Sequence, residues 1–331
     1  MKFTRISLAL AALITVSLVH AADPKLAIVY GAGGKFDKSF NQAAALGAER
    51  FKKETNIPFT EISVASDTQT EQILRTLARK NVDLIAAIGF AQAQAVQTVS
   101  REFPKTKFVL IDGVATGDNV SSVTFKEQEG SYLVGVAAAL TSKTKKIGFI
   151  GGMDIPLIRA FSCGYLQGAK SVDPKIEVSQ NMVGSTPAAW QDPAKGNELA
   201  RAQFERGVDV VFAAAGGSGM GALKAASEKG KLAIGVDTNQ NYMYPGTMLT
   251  SMLKRGDNAI YDSFMQVKNG TWKSGISNKG VKEGGVDWAL DADNRKLVSP
   301  ELEKKINAVR ADIISGKIKV VDYRENNSCP L

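Results

Sequence analysis

The chain has 331 residues, long enough for two domains at the usual ~100–200 residues each, and a formal net charge of +8. Its 41 Lys and Arg residues are scattered along the chain, and the absence of a concentrated basic stripe argues against a nucleic-acid partner. One histidine and two cysteines, Cys163 and Cys329, leave little for metal or nucleophile chemistry.

The N-terminus has a basic start at Lys2 and Arg5, an apolar run over 6–19 and a small-x-small end at Val19-His20-Ala21. That pattern predicts a cleaved Sec-type signal peptide over 1–22 and export to the periplasm. No cysteine follows the apolar run, so the reading is of a protein that is not a lipoprotein. His20 leaves with the leader, and a histidine-free mature chain excludes Ser-His-Asp and Cys-His pairs and histidine metal sites. In an oxidising compartment a Cys163–Cys329 bridge and two free thiols are both compatible with the sequence. No catalytic residue, metal ligand or cofactor loop is assigned, and the chain is read as a non-enzyme.

From residue 25 short β-rich runs alternate with helical patterns: strands at 25–31, 59–65, 82–89, 107–113 and 119–125, helices at 39–55, 68–81, 91–104 and 127–143. The alternation restarts with strands at 146–152, 175–184, 208–217 and 231–237 and helices at 156–172, 192–207 and 217–230, with Pro193 at a first helical turn. After Asp237 come a strand at 247–254, a helix at 257–270, a strand at 286–293 and a closing helix at 301–316. Continuous apolar strands between helices predict parallel sheets covered on both faces. The fold class is therefore α/β, two Rossmann-like doubly wound lobes joined by a hinge. The expected division is 23–143 with 253–285 for the first lobe and 144–252 with 286–331 for the second.

The stretch "YGAGGKFDKSFNQ" looks first like a dinucleotide loop. Gly31 and Gly33 fit, but Phe36 occupies the third glycine position and no Walker G-K-[ST] follows. Ser39 and Gln42 instead have capping-box spacing. Asp37 and Asn41 then project from the carboxyl end of the first strand, where open α/β sheets bind ligands. Asp112, Gly216, Gly217, Asp237 and Lys254 end other strands, and together they predict one cleft. Carboxylates with a single lysine suit hydroxyl groups and not an anion. Trp190, in a loop before a helix, is compatible with a core residue and with a stacking platform for a flat ligand.

The ordered set "FDKSFNQ", "FKEQEGSYLVGVAAAL", "IGFIGGMDIP" with "FSCGYLQGA", "WQDPAKG", and "GVDTNQ" with "TSMLK" resembles the basic membrane protein family of ABC-transporter substrate-binding proteins, which includes purine nucleoside receptors. The resemblance covers nearly the whole chain after the leader. It implies a type I periplasmic binding fold, monomeric, closing by hinge motion on a nucleoside-like ligand and delivering it to an inner-membrane ABC permease. On that resemblance Asn41 and Asp112 read the base edge, Trp190 stacks on it and Gly216 lets the backbone approach. Asp237 and Lys254 hold the ribose hydroxyls. The family's paired acids before "SFN" stand here as Phe36-Asp37, with only the second kept. Ala44 replaces an aromatic three residues beyond Asn41, which makes Phe36 a candidate second stacking face. Another flat polar or aromatic solute, or a sensory co-receptor role, is the alternative. A nucleoside hydrolase would need a dense aspartate cluster around calcium, and the aspartates here sit singly.

Overall fold

A computed structural model describes residues 22–330, so nearly all of the expected leader at 1–22 lies outside the described residues. In chain order, β1 (Leu26–Tyr30), α1 (Phe40–Thr55), β2 (Phe59–Ser63), α2 (Thr70–Arg79), β3 (Leu84–Ile88), α3 (Ala93–Glu102), β4 (Lys107–Ile111) and β5 (Val120–Phe125) form the first α/β unit. The second runs through α4 (Glu127–Thr141), β6 (Lys146–Met153), α5 (Pro156–Val172), β7 (Glu177–Gly184), α6 (Pro193–Glu205), β8 (Val210–Ala214), α7 (Gly219–Glu228), β9 (Leu232–Asp237) and β10 (Met248–Lys254). The chain then adds α8 (Gly256–Lys268), β11 (Gly275–Lys279), β12 (Val286–Trp288) and α9 (Pro300–Ile314).

These pieces make two six-stranded sheets. The first has the order β2-β1-β3-β4-β5-β11, with every neighbouring pair parallel. The second has the order β7-β6-β8-β9-β10-β12, parallel except for β12 against β10. Burial follows position: every residue of β1, β3 and β8 is buried, as central parallel strands covered by helices require, while the edge strands β2 and β11 are largely exposed. Strand β11 has no apolar run to announce it. It forms because residues 275–279 can complete the edge of the first sheet alongside β5.

The expected boundary at 143 assigned α4 to the first lobe. The helix instead packs on α5, β10, β12 and α9, all in the second lobe. Twelve of its residues are buried, so it is apolar on nearly every side and needs partners on more than one face. Closeness to α5 comes from glycines: a Cβ at Gly168 would lie 2.1 Å from the Tyr132 carbonyl oxygen, and one at Gly164 2.3 Å from that of Gln128. The chain thus leaves the first sheet at 125–127. It returns at 254–256, where α8 packs on α1, and leaves again between β11 and β12.

Candidate functional site

A cavity of about 290 Å³ lies where the carboxyl ends of strands from both sheets converge. Its first-sheet wall is built from the segments after β1, β3 and β4, the first of them the most extensive. Gly34 turns the chain at φ +70°, its N–H donating to the Gly31 carbonyl at 2.9 Å. Asp37, not Ser39, then caps α1. Its carboxylate accepts from the backbone N–H groups of Ser39 (2.9 Å), Asn41 (2.9 Å) and Gln42 (3.1 Å), and from the Asn41 amide at 2.9 Å. The expected Ser39–Gln42 capping box is absent because this carboxylate already satisfies the first-turn donors. The Ser39 hydroxyl is turned across to donate to the Asp237 carboxylate in the second lobe.

Asn41 lines the cavity and also staples it, its amide oxygen accepting from Gly31 N–H at 3.0 Å. Phe36 points the other way. It is 78 % exposed, lies off the cavity wall, and has the Lys35 ammonium 5.8 Å from its ring centroid. The aromatic lining comes from Phe40, Phe90, Phe161 and Trp190, of which only Trp190 was singled out from the sequence. Phe40 opens α1, and a helix-start pattern gives no sign of which way its ring turns. Trp190 packs on glycine: a Cβ at Gly152 would fall 2.2 Å from its Cζ3, and one at Gly216, where φ is +57°, 3.6 Å from its Cε3. Gly217 also lines the cavity.

Asp112 and Asp237 follow or end their strands in the left-handed region, φ +70° and +64°, a conformation that Asp tolerates better than most residues and that turns both carboxylates toward the cavity. Lys254, at the end of β10 and 2 % exposed, reaches Asp112 at 2.6 Å and Glu127 at 3.0 Å. The first contact joins the two lobes. The ammonium also lies 5.1 Å from the Phe40 ring centroid and 5.4 Å from that of Phe161, within cation–π range. Burial would lower the lysine, but Asp112, Glu127 and Asp237 outweigh it and hold Lys254 well above the usual lysine range. Burial pushes Asp237 up to about 6 against the pull of Lys254 and the Ser39 hydroxyl, and it raises Glu127 and Asp37 as well. Glu127 was not predicted. It opens α4 inside "FKEQEG" and faces a lysine 127 positions further along the chain, a pairing no local pattern reveals.

The lips meet directly. The Lys38 carbonyl accepts from Thr238 Oγ1 at 3.0 Å and from the Gln240 amide at 2.7 Å, and the Gln191 amide donates to the Ala32 carbonyl. Cys163 and Cys329 are joined in a disulfide, which settles the alternative left open by the sequence. The arrangement is a two-lobed cavity with an aromatic lining and a carboxylate–lysine row at one side, suited to a flat group carrying hydroxyls.

Residues 25–324 match the family model of PnrA-like ABC transporter substrate-binding proteins. The chain is 36% identical over 323 residues to the ABC transporter nucleoside-binding protein BmpA of Lactococcus lactis, covering 90% of this chain and 89% of that one. It is 34% identical over 313 residues to basic membrane protein A of Borreliella burgdorferi, covering 92% and 89%. Among solved structures, an ABC transporter solute-binding protein from Aeropyrum pernix superposes with a TM-score of 0.83 at 29% identity, over 92% of this chain and 95% of that one. The two-sheet architecture is accordingly the periplasmic binding protein fold, with a small-molecule ligand and an ABC permease as partners. This chain belongs to the PnrA-like family of ABC-transporter substrate-binding proteins.

Proposed function

We propose that the protein captures a purine nucleoside in the cleft between its lobes, in the periplasm after its leader is cleaved, and hands it as a monomer to an ABC importer without chemical change. The observation that carries this reading is the joint presence of Trp190, Phe40 and Phe161 with the Asp112–Lys254–Asp237 group in one cavity. The base would lie between Trp190 and the phenylalanines of α1 and α5, which take the role expected of Phe36. Asn41 and Asp112 would meet its polar edge. Asp237 would accept from ribose hydroxyls beside Lys254, and Gly216 would let the backbone close on the ligand. The name of the Lactococcus relative supports a nucleoside. Asp37, fully used in capping α1, would act by holding Asn41. The strongly aromatic lining favours, as a second reading, another flat aromatic solute.

The test is a thermal-shift and calorimetry panel on protein stripped of carried-over ligand by unfolding and refolding. Ligand binding only the native state at 100 times its Kd adds ~2.7 kcal/mol, and purine nucleosides are expected to raise the melting temperature while ribose and free bases do not. A response confined to non-nucleoside aromatics would replace the first reading with the second.

A further inference from the structure

Behind the cavity, the chain after α9 runs back across α5 as a strap. Gln167 of α5 holds it in both directions, donating to the Val321 carbonyl at 2.9 Å and accepting from Val321 N–H at 3.0 Å. Cys163, one turn earlier on the same helix, is bridged to Cys329. Arg324 lies between these two anchors. Asp322 fixes its guanidinium through contacts of 2.9 and 2.7 Å. From there Nη1 stands 3.0 Å from Glu127 Oε2, and Nη2 donates to the Phe125 carbonyl at 3.1 Å, so the strap grips the point where the chain crosses between lobes.

Glu127 is 0 % exposed, and among the described residues its ion partners are Arg324 on one oxygen and Lys254 on the other. Lys254 in turn serves Asp112 at 2.6 Å with Asp237 close by. These five side chains come from α4, β9, β10, the strap and the residue after β4, with Asp322 beside Arg324 and Asp37 acting on Asp237 as the further charged groups. One lysine cannot balance three buried acids, and Arg324, itself held by Asp322, brings a second positive charge to Glu127 from outside the cavity.

We propose that Arg324 is a positioning residue for Lys254: by neutralising Glu127 from the strap side it leaves the ammonium at Asp112 and the cavity, and the Cys163–Cys329 bridge holds it in place. Without Arg324, the buried Glu127 carboxylate has only Lys254 left, and a buried charge stripped of a partner is strongly unfavourable. The ammonium is then drawn toward α4, away from the Asp112 side. As far as it concerns affinity, the inference rests on the nucleoside reading. The charge coupling itself does not.

The experiment compares Arg324→Gln, Arg324→Lys, Glu127→Gln, the double variant Arg324→Gln/Glu127→Gln and Cys329→Ser in the full mature chain. It reads inosine affinity by calorimetry and the melting temperature of the ligand-free protein. Arg324→Gln is expected to weaken inosine binding about tenfold, the scale of one lost charge-assisted bond. Arg324→Lys, which keeps the charge, recovers most of it. In the Glu127→Gln background Arg324→Gln adds little to either measurement, and Cys329→Ser moves both in the same direction as Arg324→Gln but less far. A lysine variant no better than glutamine, or full additivity with Glu127→Gln, would overturn the proposal and leave Arg324 as a brace for the Phe125 carbonyl alone. If the wild type ignores inosine, the nucleoside reading fails, and the melting-temperature cycle still decides: coupling supports the strap, additivity refutes it.

Discussion

Asp237 carries the clearest pH signature in the molecule. An acid whose folded pKa of about 6 lies above its ordinary 3.8 binds more protons folded than unfolded. Its contribution to stability is therefore fully present below about pH 4 and is lost as pH rises through 6. Asp237→Asn removes that contribution while keeping a residue that accepts the φ of +64°. The melting temperature of the wild type minus that of the variant should fall between pH 4 and pH 6.5 (about two units bracketing the shift), and Asp37 and Glu127, present in both proteins, largely cancel from the difference. A flat difference would mean that Asp237 is ionised throughout. Nucleoside affinity should run the opposite way in the wild type, weakening as pH drops below 6 and the carboxylate loses its charge. The residue scale also shows where local spacing misleads. Ser39 and Gln42 have the right separation for a capping box, yet Asp37, two residues before Ser39, reaches the first-turn N–H groups with both carboxylate oxygens. The freed Ser39 hydroxyl then serves the other lobe.

At the scale of elements, the contact between α4 and α5 decides where the chain divides. The two helices approach so closely that Gly164 and Gly168 admit no Cβ. Gly168→Ala, which would set a methyl group 2.1 Å from the Tyr132 carbonyl oxygen, must force the helices apart. The expected cost is ~1–3 kcal/mol, as for other overpacked cores, read as a fall of several degrees in melting temperature. Gly256→Ala is the control, since its Cβ would meet Ala43 Cβ at an ordinary 3.6 Å. Equal melting temperatures for the two variants would show that this interface yields without cost. The helices and buried strands themselves were legible because periodicity reports directly on burial. The ownership of α4 was not: a helix buried on nearly every side advertises no preferred face, so its sequence says that it is covered without saying by what. Strand β11 was missed for the opposite reason, being polar and exposed, and held only by its neighbour β5.

For the whole molecule, the lip contacts from Lys38 to Thr238 and Gln240, with the Asp112–Lys254 bridge, describe lobes drawn together over the cavity. Three crossings between the lobes, at 125–127, at 254–256 and between β11 and β12, give a hinge with few degrees of freedom. Ligand can shift an open–closed balance only through its extra affinity for the closed form. Small-angle scattering on stripped protein should therefore show a smaller radius of gyration on adding saturating nucleoside. An unchanged radius alongside a measurable affinity would mean that the lobes are already closed before binding.

Composition and pattern alone determined the two α/β units and the strand ends that meet at the cavity, because these depend on residue type and on periods of two and 3.6 along the backbone. They also named Asp37, Asn41, Asp112, Trp190, Gly216, Asp237 and Lys254, all of which line the cavity. Tertiary structure alone decided that Phe36 faces solvent while Phe40 and Phe161 face inward, that Cys163 meets Cys329, and that Glu127 and Arg324 stand behind Lys254. Each of those outcomes depends on groups far apart in the chain sharing one buried volume, where charge must be balanced by whatever partner the fold supplies.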